Sequence, residues 1–483
     1  MNIRIIVKYL GYFLIIEGIF LVPSVGVALI YRELRTLLPL MITIVACIGI
    51  GLFLHFIPAK SSDPPRVRES FAIAGIGWIL ISLFGALPFW LSGEIPHFID
   101  AWFETVSGFT TTGASILTDV EAMSKSLIFW RSFTHWLGGM GVLVFVLALV
   151  RARKDAGFTL QLLRAESPGP QVEKILPKTR DSARMVYLLY IALSVLNLFF
   201  LLLGKMPLFE ALCTMFGTAG TGGFGIRNDS MAGYSPYLQT VTTIFMALFG
   251  VNFSIYFLFI CGEWRAALKD TELRLYFGIL FGAAGLCVLS LIRTGAMNLK
   301  DAIHHSAFTV SSVMTTTGYG TADFNQWTQF SKTLLLVLMI FGAMAGSTGG
   351  GIKISRIIIV AKTMKQQIYQ LLHPRTVRIL TVNGKVLDRT VISRNFLYLS
   401  VYTVVAMVSL LLVSLNGFSM ETNLSAVLSC LNNIGPGLDV VGPTSNYATL
   451  SLLSKLVLSF DMLLGRLELL PILALFSSSV WKL

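Results

Sequence analysis

The chain has 483 residues, 55% of them hydrophobic and only 13% charged, with a net charge of +12. A water-soluble domain carries about 25% charged residues, so this composition excludes a soluble globular protein and indicates a polytopic membrane protein. The excess base sits in two interhelical stretches: Arg151, Arg153, Lys154, Arg164, Lys174, Lys178 and Arg180, then Lys353, Arg356, Lys362, Lys365, Arg375, Arg378, Lys385, Arg389 and Arg394. That placement reads as cytoplasmic topology charge beside membrane lipid and gives no cause to expect nucleic-acid binding.

Two apolar segments, 9–31 and 37–56, come first, the former a retained span and not a signal peptide. A polar linker with Pro58, Pro64, Pro65, Arg66 and Arg68 follows. From Ser70 onward the pattern is helix, short re-entrant segment with a glycine loop, helix, and it repeats four times. The divisions expected are 1–69 for the two extra helices and linker, 70–180 for unit one with a cytoplasmic loop, 181–270 for unit two, 271–392 for unit three with an intramembrane loop and a cytoplasmic loop, and 393–483 for unit four.

The repeated loops are Thr110 to Gly113, Thr221 to Phe224, Thr315 to Tyr319 and Asn432 to Gly435, about 100 residues apart. Aligned on Gly113, Gly223, Gly318 and Gly435, the sixth residue before each is small: Ser107, Gly217, Ser312 and Ser429. The thirteenth before is polar, Asp100, Glu210, His305 and Thr422, where a short helix is expected to start. Irregular backbone at membrane depth is tolerated only where protein buries it or it lines a water-filled cavity. Four such segments imply one aqueous axis lined by loop carbonyls, with the loops entering from the side opposite the basic stretches.

Five scattered cysteines without a CxxC spacing support neither a disulfide framework nor a metal site. The pair His304 and His305 is assigned to partners at the mouth rather than to a metal. No GxSxG, HExxH or clustered acidic pair occurs in the apolar spans, so no enzyme is expected.

The segments 107–114, 346–351, 432–437 and 464–468 resemble the Trk/Ktr/HKT cation transporters, most closely the bacterial TrkH/TrkG type, over essentially the whole chain. The resemblance implies an all-α fold of four fused M1–P–M2 pore units in pseudo-fourfold arrangement plus two N-terminal transmembrane helices. It implies potassium uptake across the bacterial inner membrane, with K+ as permeating ion, a homodimer, and a cytoplasmic nucleotide-binding regulatory subunit of TrkA type. The filter mouth would face the periplasm. The filter it implies comprises Thr111, Thr112 and Gly113; Thr221, Gly222 and Gly223; Thr316, Thr317 and Gly318; and Asn433, Ile434 and Gly435. Gly113, where sodium-preferring plant relatives have serine, favours potassium.

Between two apolar runs, Gly346, Ser347, Thr348, Gly349, Gly350 and Gly351 interrupt what would be one helix, each glycine disfavouring it by about 1 kcal/mol. The resemblance makes this segment a gate beneath the filter, faced by Arg466. The alternative for Arg466 is a structural ion pair with Asp461 or Glu468. A phosphate-binding reading of Gly346 to Lys353 fails because no strand precedes it. Channel conduction, sodium- or proton-coupled symport, and a sodium-permeable member of the same family all stay open.

Overall fold

The structure, a computed structural model, describes residues 3–56, 67–139, 141, 179–376 and 379–476. Most of the first basic stretch and the 57–66 linker prolines lie outside them. The long apolar runs form helices: α1 (Ile3–Tyr31), α2 (Leu34–Phe56) and α3 (Val67–Gly85). Six helices among the described residues are long and apolar enough to cross a membrane, or seven if one bent pair counts as a span. α1 and α2 pack backbone to backbone, since a Cβ on Gly11 would stand 2.6 Å from the Gly51 carbonyl oxygen.

Unit one continues with the short helix α4 (Phe98–Phe109) and the inner helix α5 (Lys125–Gly139). Unit two has α6 (Thr179–Leu203), the short α7 (Leu208–Gly220), α8 (Pro236–Phe249) and α9 (Phe253–Ile260). Unit three has α10 (Thr271–Arg293), the short α11 (Leu299–Met314), α12 (Gln329–Ile340) and α13 (Ile354–Leu372). A two-stranded hairpin, Thr381–Val382 with Lys385–Val386, leads into unit four. Its helices are α14 (Arg389–Val413), the short α15 (Met420–Leu431), α16 (Leu452–Arg466) and α17 (Leu470–Leu475).

Asp100, Glu210 and Thr422 each occupy the third position of their short helix, as a helix start requires. His305 does not. Asn298 caps α11 by accepting from the Asp301 N–H, so the helix begins earlier and Asp301 takes the third position. His304 instead meets Gln239 Oε1 at 2.6 Å and His305 meets Thr321 Oγ1 at 3.0 Å.

All four inner helices end or break on the far side of the glycine loops, whereas the sequence marks only the third clearly. α5 stops at Gly139, and Gly141 has φ +71°. α8 turns into α9 through 92°. α12 gives way to residues 341–353. α16 stops at Arg466, followed by Glu468 and Leu469 at φ +54° and +66°.

Candidate ion path

Each short helix delivers its chain into a loop of the same construction. The loop is tied back to its own helix by one repeated bond: Thr112 N–H to Ser107 O, Gly222 N–H to Gly217 O, Thr317 N–H to Ser312 O, and Ile434 N–H to Ser429 O, at 2.8–2.9 Å. The small-residue column is therefore the anchor of the loops. Two residues before each glycine the backbone is left-handed: Thr111, Thr221, Thr316 and Asn433 have φ of 55°, 54°, 58° and 57°. Asparagine tolerates that region, but for a β-branched residue it is a genuine outlier, and such strain clusters at functional sites.

The four loops close on one another in chain order. A Cβ on Gly113 would stand 2.0 Å from Gly222 O, on Gly223 1.8 Å from Thr317 O, on Gly318 2.1 Å from Ile434 O, and on Gly435 2.7 Å from Thr112 O. Each glycine thus faces the carbonyl that precedes the next loop's glycine, and unit four returns to unit one. Glycine is needed at all four for that approach and for φ between 71° and 103°. The result is a ring with backbone carbonyls spaced about one axis.

A second ring joins the rim segments in the same order. Asn228 bonds Val120 and Asp119; the Ser230 hydroxyl accepts from Gly320 N–H; Asn325 exchanges bonds with the Asp439 backbone; Tyr447 N–H reaches Ser115 O. The bond from Asn228 holds the exposed Asp119 carboxyl below the usual carboxylate range.

On the other side of the first ring, residues 341–353 lie against it. Gly350 N–H donates to Thr316 Oγ1 at 2.7 Å, and a Cβ on Gly350 would stand 2.5 Å from Asn432 O. The segment is also sewn to the break in unit two: Met344 N–H to Gly250 O, Phe253 N–H to Gly346 O, and Thr348 Oγ1 to Phe249 O. Lys353 Nζ donates to Gly349 O, and Glu272 Oε1 accepts from Ala345 N–H and Ser355 N–H at 2.8 and 3.0 Å. Arg466 donates to Thr348 O at 2.9 Å, Gly138 O at 2.5 Å and Thr111 Oγ1 at 3.2 Å.

This whole-chain arrangement is shared with known proteins. A profile of the TrkH family, described as cation transport protein, matches residues 39–482. The chain belongs to the TrkH family. It is 32% identical to the Trk system potassium uptake protein TrkG of Escherichia coli K12, covering all of this chain and 99% of that one. It is likewise 32% identical to the TrkH of the same strain over the full length of both. The crystal structure of the potassium transporter TrkH from Vibrio parahaemolyticus superposes with a TM-score of 0.89 at 28% identity, covering both chains completely. The family is one of transporters and not of enzymes, and the four-unit, all-helical TrkH fold read from the sequence stands.

Within this TrkH-family chain the structure gathers every loop residue singled out in the sequence into the two facing layers. Arg466 is the last residue of α16. Asp461 accepts from Ser409, and Glu468 pairs with Arg356 at 2.6 Å. Sequence reasoning missed Glu104, Arg131, His135, Glu272 and Tyr447. The signal available was a charged or polar side chain within an apolar run. Tyr447 is notable because its hydroxyl donates to Gly435 O at 2.7 Å, serving the loop that has Pro436 where two others have an aromatic.

Proposed function

We propose that this chain is the potassium-permeating subunit of a Trk-type uptake system in a bacterial inner membrane. The closed ring formed by the loops at Gly113, Gly223, Gly318 and Gly435 carries this reading. Backbone carbonyls so arranged replace the hydration shell of a bare monovalent cation. The ring is the filter, with its mouth toward the periplasm, and residues 341–353 with Arg466 are the gate beneath it. Two cationic groups, Lys353 and Arg466, donate to neighbouring carbonyls of that segment and oppose a cation in the same place. The full-length relatives named as potassium uptake proteins support K+ as the ion, and the word system in their names supports a regulatory partner, read as the nucleotide-binding TrkA type. A homodimer completes the proposal.

Expression in a strain lacking its own potassium uptake, together with its partner, restores growth at low potassium. Failure with the protein in the membrane would sink the proposal. Gly113→Ser, whose Cβ would press on Gly222 O, lowers the preference for potassium over sodium in the same strain.

A further inference from the structure

Behind the ring, unit one differs from the other three. Nine residues before the loop glycine stand Glu104, Thr214, Thr309 and Ala426, so one unit alone places a carboxylate there. Glu104 is fully buried, and its partner Arg131 on α5 is nearly so, with Nε 2.6 Å from Glu104 Oε1. Burying two ions costs several kcal/mol each, and a buried pair is poor evidence of added stability. This one touches two of the four loops directly and meets a third through Ser115.

On the loop of unit one, Glu104 accepts from Ser115 Oγ and Ile116 N–H, both at 2.9 Å. On the loop of unit two, the Arg131 guanidinium lies 3.5 Å over the Phe224 ring and donates to Gly225 O at 2.9 Å. One turn further along α5, His135 donates from Nδ1 to Gly108 O at 2.8 Å and accepts from Phe224 N–H at 3.3 Å. A Cβ on Gly222 would collide with that imidazole, which explains why unit two has glycine where units one and three have threonine. On the loop of unit four, Tyr447 bonds Ser115 O through its N–H and Gly435 O through its hydroxyl.

We propose that Glu104 and Arg131 are positioning residues for ion selectivity: they brace the backbone just after Gly113 and Gly223 and so set the spacing of the carbonyls that face the ion. The proposal rests on the filter reading above. Whether preference comes from cavity size or from the number of carbonyls in reach, it depends on that spacing. The asymmetry then has a use, because a single braced flank can define the ring while the other loops vary in sequence.

The test uses the full chain with Glu104→Gln and Arg131→Lys. Glutamine keeps the shape and loses the charge. Lysine keeps the charge and loses the planar stack on Phe224 and the forked reach to Gly225 O. Uptake of potassium is measured against competing sodium in cells without other potassium uptake, and folded protein is quantified by size-exclusion chromatography. Both variants are expected to fold and to lose potassium preference by about tenfold, the scale of one charged hydrogen bond. Folded variants with wild-type preference would overturn the proposal. So would loss of folded protein in both, since the pair would then be scaffold alone. A wild-type chain that moves no potassium would instead remove the filter reading itself.

Discussion

An arginine within a membrane span is costly and finds partners or a water-filled cavity. Arg466 finds partners in two other units at once: Thr111 of the first loop and Gly138 at the end of α5, both in unit one, and Thr348 of the proposed gate in unit three. As the final residue of α16 it also suits the negative end of that helix. Replacing it with alanine removes all three bonds and a positive charge from beneath the ring. Basal rubidium-tracer uptake into proteoliposomes should therefore rise several-fold with folded protein unchanged, and Arg466→Lys should fall between, since an ammonium is a point donor and not a fork. An unaltered rate in the alanine variant would exclude the residue from gating. The sequence marks Arg466 as anomalous and offers Asp461 and Glu468 as alternative partners only by nearness in the chain, since residues five and two positions away on a helix do not share its face. The chain turns left-handed at Glu468 and Leu469, and the carboxylate of Glu468 swings to Arg356.

At the scale of elements, the proposed gate is held by its neighbours more than by itself. Its internal bonds are few: a bridge between Phe341 and Ile352 with Gly342 N–H on Ile352 O, Ser347 on Met344 O, and Lys353 on Gly349 O. Glu272 at the start of α10 joins the two arms by accepting from Ala345 and Ser355 with a single oxygen. Glu272→Ala leaves both amides without that acceptor, at about 1–3 kcal/mol for each buried group. Hydrogen exchange at Ala345 and Ser355 should accelerate together, while Glu272→Gln, which retains an acceptor, should change it less. Protection unchanged in the alanine variant would show that Glu272 does not hold the segment. The glycines of 346–351 make this break legible in the sequence. The breaks at Gly250 and residues 467–469 are not, because those residues interrupt their helices through bonds to other units, and a helix-period reading sees only local propensity. Similarly, the loop glycines and the small-residue column are visible as spacing, whereas Glu104 and Arg131 lie 27 residues apart and meet only once α4 and α5 pack.

For the molecule as a whole, the four units form closed rings at two levels, and closure has an energetic signature. Asn228 holds the seam between units one and two with two side-chain bonds, and Asn325 holds the seam between three and four with two. The two residues share no bonding partner among these contacts. Independent, distant substitutions normally add within about 0.5 kcal/mol. In a ring, each seam keeps the others' partners in place, as linked contacts raise one another's effective concentration. Opening one seam therefore removes part of what the opposite seam contributes. Asn228→Ala and Asn325→Ala should each lower stability by about 2 kcal/mol, from two lost bonds near 1 kcal/mol apiece. The double variant should lose less than the sum by more than the additive scatter, read from denaturant unfolding of the purified protein in detergent. Strict additivity would mean that the rim segments are four separate contacts on a scaffold held elsewhere, and that the fourfold closure resides in the inner ring of Gly113, Gly223, Gly318 and Gly435 alone.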